Sequence, residues 1–298
     1  MEPLDRAPLD RAPLDGSPER PVLADTLQIV RRCELVVQAC HEPMDIEGTW
    51  LSGEELCKPD ADPVATLMQR FGSAGFKFNR RAAAAALMLR FGWGAGFAIS
   101  SYLLRSRIPV VRDYALGFSP QTLLRWLRIR DGMFVGRPDD VLAGSRDWLE
   151  SVPSEALLGR LLETLIAFTE PVIAAQHIWS GFSRRALWAM ATSSWASQFA
   201  SIGRHLGDEA SAVHTACAMF SLDPEIKRAA PHLYVVDSGG ARRTFQKMRA
   251  CCLHFKNGNR RFCANCPIIP ETERLERNRA WLASQREHRV LGEERARD

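Results

Sequence analysis

Hydrophobic and polar positions change period several times along this chain. From Val22 to Cys40 the apolar residues Leu23, Leu27, Val30, Leu35 and Val37 recur at helical spacing, which predicts a helix over that span. Residues 1–21 before it carry the repeat PLDRAPLDRAPLDGS and no apolar face, which predicts a disordered tail. Asp62-Pro63 reads as a helix start, with the aspartate as cap and the proline in the first turn. The most apolar stretch is RRAAAAALMLRFGWGAGFAISSYLL, residues 80 to 104. A membrane span needs about 20 apolar residues, and Arg90 interrupts this run, so a buried helix is expected.

Further on the period shortens. LLRWLRIRDGMFVG, residues 123 to 136, alternates around Asp131-Gly132 and predicts a hairpin with its turn at that dipeptide. Two long helices are expected next. One covers 154 to 179 with a bend at Pro171, and the other covers 184 to 206, capped by Ser183 and stopped by Gly207. Trp188, Trp195, Phe199 and Ile202 share one face of the second, a core stripe. A helix over 208 to 222 follows, then LYVVDSGGARRTF, a hairpin turning at Gly239-Gly240. A charged helix over 270 to 288, with Leu275, Trp281 and Leu282 as apolar contacts, closes the chain. The fold class expected is mainly α with a few β-hairpins (α+β). Its divisions are a tail (1–21), a mainly helical domain (22–245) and a C-terminal cysteine segment with the closing helix (246–298).

Composition narrows the chemistry. Of 298 residues 46% are hydrophobic and 25% charged, the range of soluble globular proteins. Only five of the 39 basic residues are lysine, and a net charge of +4 is small for this length, so the arginine bias does not imply nucleic acid. No apolar core follows Met1, so no signal peptide is expected and a cytoplasmic location is. GWGAG lacks the preceding strand of a nucleotide-binding loop, and no nucleophile, paired-carboxylate site or phosphate loop stands out. A reducing compartment favours metal or redox roles for cysteine over a disulfide framework. Cys33, Cys40, Cys57 and Cys217 lie in apolar stretches and read as small buried hydrophobes.

The other four cysteines crowd into CCLHFKNGNRRFCANCP, residues 251 to 267. Asn257-Gly258 is a preferred two-residue hairpin turn. Closing it pairs Lys256 with Asn259 and, down the ladder, Leu253 with Phe262 and Cys252 with Cys263. Neighbours on a strand point to opposite faces, so Cys251 and Cys252 can share one centre only if the backbone is irregular there. His254 reads as surface. Four thiolates suit zinc or an iron–sulfur cluster. Adjacent cysteines form a zinc knuckle poorly, which favours iron–sulfur, with a labile Cys252–Cys263 disulfide as a third option.

The pattern C-C-x10-C-x2-C before proline resembles the FhuF family of siderophore-iron reductases. NRRAAAAALMLRFGW and PVIAAQHIWSGFSRRALWAMATSSWA are similar to that family's helices, with Arg185 and Trp188 at familiar places. The resemblance covers roughly residues 62 to 285. It implies a 2Fe–2S cluster on Cys251, Cys252, Cys263 and Cys266, serving as both cofactor-binding and metal ligands. It further implies one-electron reduction of a ferric siderophore and peripheral association with a siderophore importer at the inner membrane. The sequence shows no flavin or nicotinamide motif, so a separate electron donor is expected. Lys256, Arg260 and Arg261 on the same segment are candidates for tuning the cluster or steering an anionic substrate. An iron–sulfur sensor without turnover and a zinc-stabilised binding module are the other classes.

Overall fold

A computed structural model describes residues 20–33, 35–72, 78–256 and 262–295, with side chains up to residue 285. Residues 1–19 of the Pro-rich tail lie outside the described residues, as do Asn257-Gly258, Arg260 and Arg261. The last two residues assigned to the tail are ordered, Arg20 bonding Asp131 and Pro21 opening the first helix. Helices and strands are mixed, an α+β architecture with more sheet than the sequence suggests.

Helix α1 (Pro21–Val30) ends in a 3-10 turn at Arg31–Cys33, well short of residue 40. Beyond it Leu35, Val37 and Ala39 are buried while Val36 and Gln38 are exposed, a period of two that enters strand β1 (Gln38–Cys40). Cys33 and Cys40 therefore do not share a helix face. Strand β2 (Thr49–Ser52), the single turn α2 (Gly53–Leu56) and α3 (Val64–Gly72) follow. Ser52 and Glu55 form a reciprocal capping box on α2.

The apolar stretch forms α4 (Arg80–Phe91), a 3-10 turn and α5 (Gly96–Arg105). It is long and apolar enough to cross a membrane, yet 78% of its most apolar window is buried inside the protein. Strands β3 (Ile108–Phe118) and β4 (Leu124–Gly136) form the longest ladder. The hairpin expected at Asp131-Gly132 is absent, because β4 runs straight through those residues. Gly132 lacks the positive φ that such a turn requires, and a bulge opposite Arg112 absorbs the irregularity. The turn lies instead at Ser119–Leu123, closed by Ser119 N–H donating to Leu123 C=O at 2.9 Å, with Thr122 at φ 63°. The sheet order is β1-β4-β3-β2, and β5 (Trp148–Ser151) joins β4 in parallel.

Helix α6 (Ser154–Ser180) is continuous through Pro171 and ends at Gly181, φ 63°. Helix α7 (Arg184–His205) has the Ser183 cap expected, its hydroxyl accepting from Ala186 N–H at 3.2 Å. Trp188, Trp195, Phe199 and Ile202 are all buried in the core. Helices α8 (Glu209–Ser221) and α9 (Pro224–Ala229) lead to the hairpin β6 (His232–Ser238) and β7 (Ala241–Lys247). Gly239 and Gly240 turn it with φ of 60° and 81°, as their positions predict. Helix α10 (Glu271–Arg295) lies against that hairpin.

Helix α7 is buried on nearly every side, and small residues set how closely its neighbours approach. A methyl on Gly203 would lie 2.5 Å from Ala212 Cβ and 2.9 Å from Asp208 C=O. Gly203→Ala should destabilise the protein by about 1–3 kcal/mol through overpacking, read as a lower urea midpoint. An unchanged midpoint would show that α8 gives way freely.

Candidate functional site

Strand β7 delivers the chain to the cysteine segment. Met248 N–H donates to Asn265 C=O at 3.0 Å, and Arg249 Nε donates to Ala230 C=O at 3.1 Å. The first bond sets the residues before Cys251 beside the residue before Cys266, and the second ties them to the end of α9. The backbone at Cys251 and Cys252 is irregular, as two adjacent ligands on one centre require.

The ladder expected around Asn257-Gly258 is not formed in the described flanks. Residues 251–253 are not strand, and His254–Lys256 make a 3-10 turn closed by Lys256 N–H to Leu253 C=O at 2.9 Å. Leu253 takes φ 58°, the left-handed region that non-glycine residues avoid. A left-handed residue reverses the chain at once, and extended pairing cannot continue past it. Contact across the segment is made by side chains instead: Phe255 packs on Phe262 with ring centres 5.1 Å apart.

The Cys252 and Cys263 thiols stand 3.8 Å apart. Two thiolates bound tetrahedrally at about 2.3 Å from one metal stand about 3.8 Å apart, so this pair fits a shared metal without rearrangement. The Cys251 and Cys266 thiols are close enough to this pair for their charges to be felt: Cys252 and Cys266 raise Cys251, and Cys266 raises Cys263. Among the described residues Cys252–Cys263 is the one thiol–thiol contact, and no three His, Cys, Asp or Glu side chains converge on a single ion.

Backbone amides serve two of the sulfurs. Cys251 Sγ accepts from Leu253 N–H at 3.4 Å and Cys266 Sγ from Ile268 N–H at 3.5 Å. Cys252 and Cys266 are buried, whereas Cys251 and Cys263 are partly open. The hydrogen bond from Cys263 holds the Cys252 thiol down at about 6 against the opposing effect of burial, and the same bond pushes Cys263 up. One proton shared by the pair explains the opposite directions. Burial raises the Cys251 thiol, partly offset by the Leu253 amide.

The remaining expectations divide. Cys33 and Cys40 are buried and Cys57 is half-buried, but Cys217 is exposed on α8 and is no core residue. His254 is on the surface, as expected. Lys256 is exposed, its ammonium 6.0 Å from the Phe255 ring centre.

Sequence reading missed a groove beside the Cys263–Cys266 loop. Two adjoining lobes of about 450 and 380 Å³ share Val36, Trp93, Ser197, Gln246 and Asn265. Ala264 and Asn265 belong to the cysteine loop itself. Their neighbours in the groove come from helices and strands far apart in the chain, and no local pattern announces them.

Leu253 gives a direct handle on this geometry. Leu253→Val should lower iron content, because a β-branched residue resists positive φ, while Leu253→Gly should keep it. Equal iron in both variants would show that this residue does not set the thiol positions.

Compared with family models, curated proteins and solved structures, the chain matches none.

Proposed function

We propose that the protein is a ferric-siderophore reductase resembling the FhuF family. The observation that carries this reading is the Cys252–Cys263 contact at 3.8 Å, with the Cys251 and Cys266 thiols of the same short segment near enough to influence the group electrostatically. Four thiolates in so short a segment suit an iron–sulfur centre. Cys251, Cys252, Cys263 and Cys266 would hold a 2Fe–2S cluster. When bound, such a cluster supplies one electron at a time at a potential set by charge, hydrogen bonds and exposure.

The chain's own residues supply those settings. The Leu253 and Ile268 amides place positive dipoles on Cys251 and Cys266. Cys252 and Met248 sit in the hydrophobic core, which keeps water from one side of the site. Cys251 and Cys263 are partly open, and the groove lined by Ala264 and Asn265 would give a substrate an approach to the loop between Cys263 and Cys266. Ferric iron is held by oxygen-rich siderophores far more tightly than ferrous iron, so one electron suffices for release. The electrons would come from a separate donor protein or small reductant. The proposed place of action is the cytoplasm, beside a siderophore importer.

Mixing the dithionite-reduced protein with a ferric siderophore under argon should reoxidise it. A ferrous-specific chelator should trap one iron for each electron lost. A protein that stays reduced with hydroxamate, catecholate and carboxylate siderophores alike is not a reductase, and the sensor reading replaces it. A colourless protein carrying zinc would replace both.

A further inference from the structure

The groove beside the cysteine loop is basic in both lobes. Arg204 of α7, Arg243 of β7 and Arg277 of α10 line the larger lobe, and Arg90 of α4 and Arg125 of β4 line the other. No aspartate or glutamate lines either lobe among the described residues. Two of the arginines have carboxylate partners outside it: Arg204 bonds Glu209 at 2.9 Å, and Arg277 pairs with Glu273. Glu209 is further engaged by the Thr244 amide at 2.8 Å.

Arg90, Arg125 and Arg243 form no ion pair with any described residue. Arg243 lies over the Trp281 ring at 4.5 Å, and Arg90 lies over Phe71 at 4.6 Å while donating to Thr122 C=O. Burial pushes both guanidinium groups down from their ordinary values; at Arg243 the neighbouring charge of Arg204 adds to this and that of Glu209, itself paired with Arg204, opposes it. Cations held in concave, poorly solvated walls focus a positive potential. Two more groups facing the groove are unsatisfied, since Ser193 Oγ and Gln246 Oε1 are buried without a hydrogen-bond partner. The lobe volumes are those of a small-molecule site, roughly 300–1,000 Å³, and a concave shape suits a compact ligand better than a protein surface.

We propose that this groove docks a ferric chelate of net negative charge, held by Arg90, Arg125 and Arg243 against the Cys263–Cys266 loop. The identity of the metal rests on the reductase reading above; the sign of the charge rests on the arginines. Asn265, common to both lobes, would touch the chelate from the loop that carries two of the thiols.

Gallium(III) complexes test docking apart from electron transfer, because gallium matches ferric iron in charge and coordination and is not reduced. The full-length protein, purified without oxygen, is titrated calorimetrically with gallium tris(catecholate), a trianion, and with neutral gallium tris(acetohydroxamate). The trianion should bind at least about tenfold more tightly, and its advantage should shrink as salt rises. Arg243→Glu and Arg125→Glu should each weaken the trianion by about tenfold or more and leave the neutral complex within about twofold. Arg125 is exposed, so its variant stays informative if Arg243→Glu misfolds by circular dichroism.

Equal affinity for the two complexes overturns the proposal, as does indifference of the trianion to both charge reversals. Binding of an acidic donor protein that depends on these arginines, with neither gallium complex bound, also overturns it and makes the groove a donor surface. If the gallium trianion binds as expected but the reduced protein leaves the iron counterpart ferric, the docking site stands and the reductase reading falls.

Discussion

Replacing Cys252 with serine is expected to leave the protein folded and nearly free of iron and acid-labile sulfide. Cys252 belongs to the buried thiol pair at 3.8 Å, in which one shared proton leaves a thiolate favoured. A serine hydroxyl cannot ionise near neutrality, so one metal position of the 3.8 Å pair would lose a ligand. Iron per chain should fall by at least about tenfold, because even residues that only support a ligand cost 10–100-fold when removed. Helix content should change little, since the four thiols sit on irregular backbone between β7 and α10 and no helix includes them. Cys217→Ser, on the exposed face of α8, should keep full iron and colour. A folded Cys217→Ser protein without iron would make the ligand assignment wrong.

Arg107→Ala should cost about 3–5 kcal/mol, the range for breaking a buried ion pair by removing one partner. Its side chain is 2% exposed and donates to both oxygens of Asp140, Nε at 2.7 Å and Nη2 at 2.8 Å, while also pairing with Asp25. These contacts tie α5's exit to α1 and to the loop after β4, so three distant parts of the chain share one cation. The variant would leave Asp140, 7% exposed, with a buried charge and no guanidinium. A urea midpoint equal to the native one would show that Asp140 escapes to solvent.

The same pair sets a pH dependence. Burial opposes ionisation of Asp140, but the Arg107 hydrogen bonds, the Leu142 amide and the Arg107 charge outweigh it, leaving the carboxyl below the ordinary aspartate range. A depressed folded value means that the stabilisation is complete above the unfolded value, about 3.9. It is lost as pH falls through the lower folded value. Native and Arg107→Ala proteins should therefore differ most near neutrality and converge on acidification below about pH 4. A gap that stays constant down that range would assign the loss to packing alone.

Several elements were legible because their causes are local. Ser183 before an apolar helical period, and Gly207 after it, bound α7 in the sequence as they do in the structure. Gly239-Gly240 turns its hairpin because two positive φ angles suit glycine wherever they fall. Alternation misled where its meaning depends on what lies alongside. Asp131-Gly132 has the composition of a turn, yet β3 pairs with Ile129, Asp131, Gly132 and Met133, and the ladder overrides local preference. Leu35 and Val37 read as a continuation of the helical spacing of Leu23, Leu27 and Val30, although with Ala39 they repeat every second residue, which suits a strand face. Strand β4, some ninety residues away, pairs with Gln38–Cys40 and fixes that strand.

The cysteine segment shows both sides of this. Its spacing alone calls for four thiols at one place and for irregular backbone at Cys251-Cys252, because adjacent strand residues cannot face the same way. The means of assembly is tertiary. A left-handed Leu253, the Phe255–Phe262 contact and the Met248–Asn265 bond bring Cys252 within 3.8 Å of Cys263, with Cys251 and Cys266 beside them. The groove is tertiary altogether. Arg90, Arg125 and Arg243 stand on a helix and two strands of different sheets, each unremarkable in its own stretch of chain. Only packing sets them on common walls, because which side chains line a groove, and which carboxylates stay outside it, are properties of position in space.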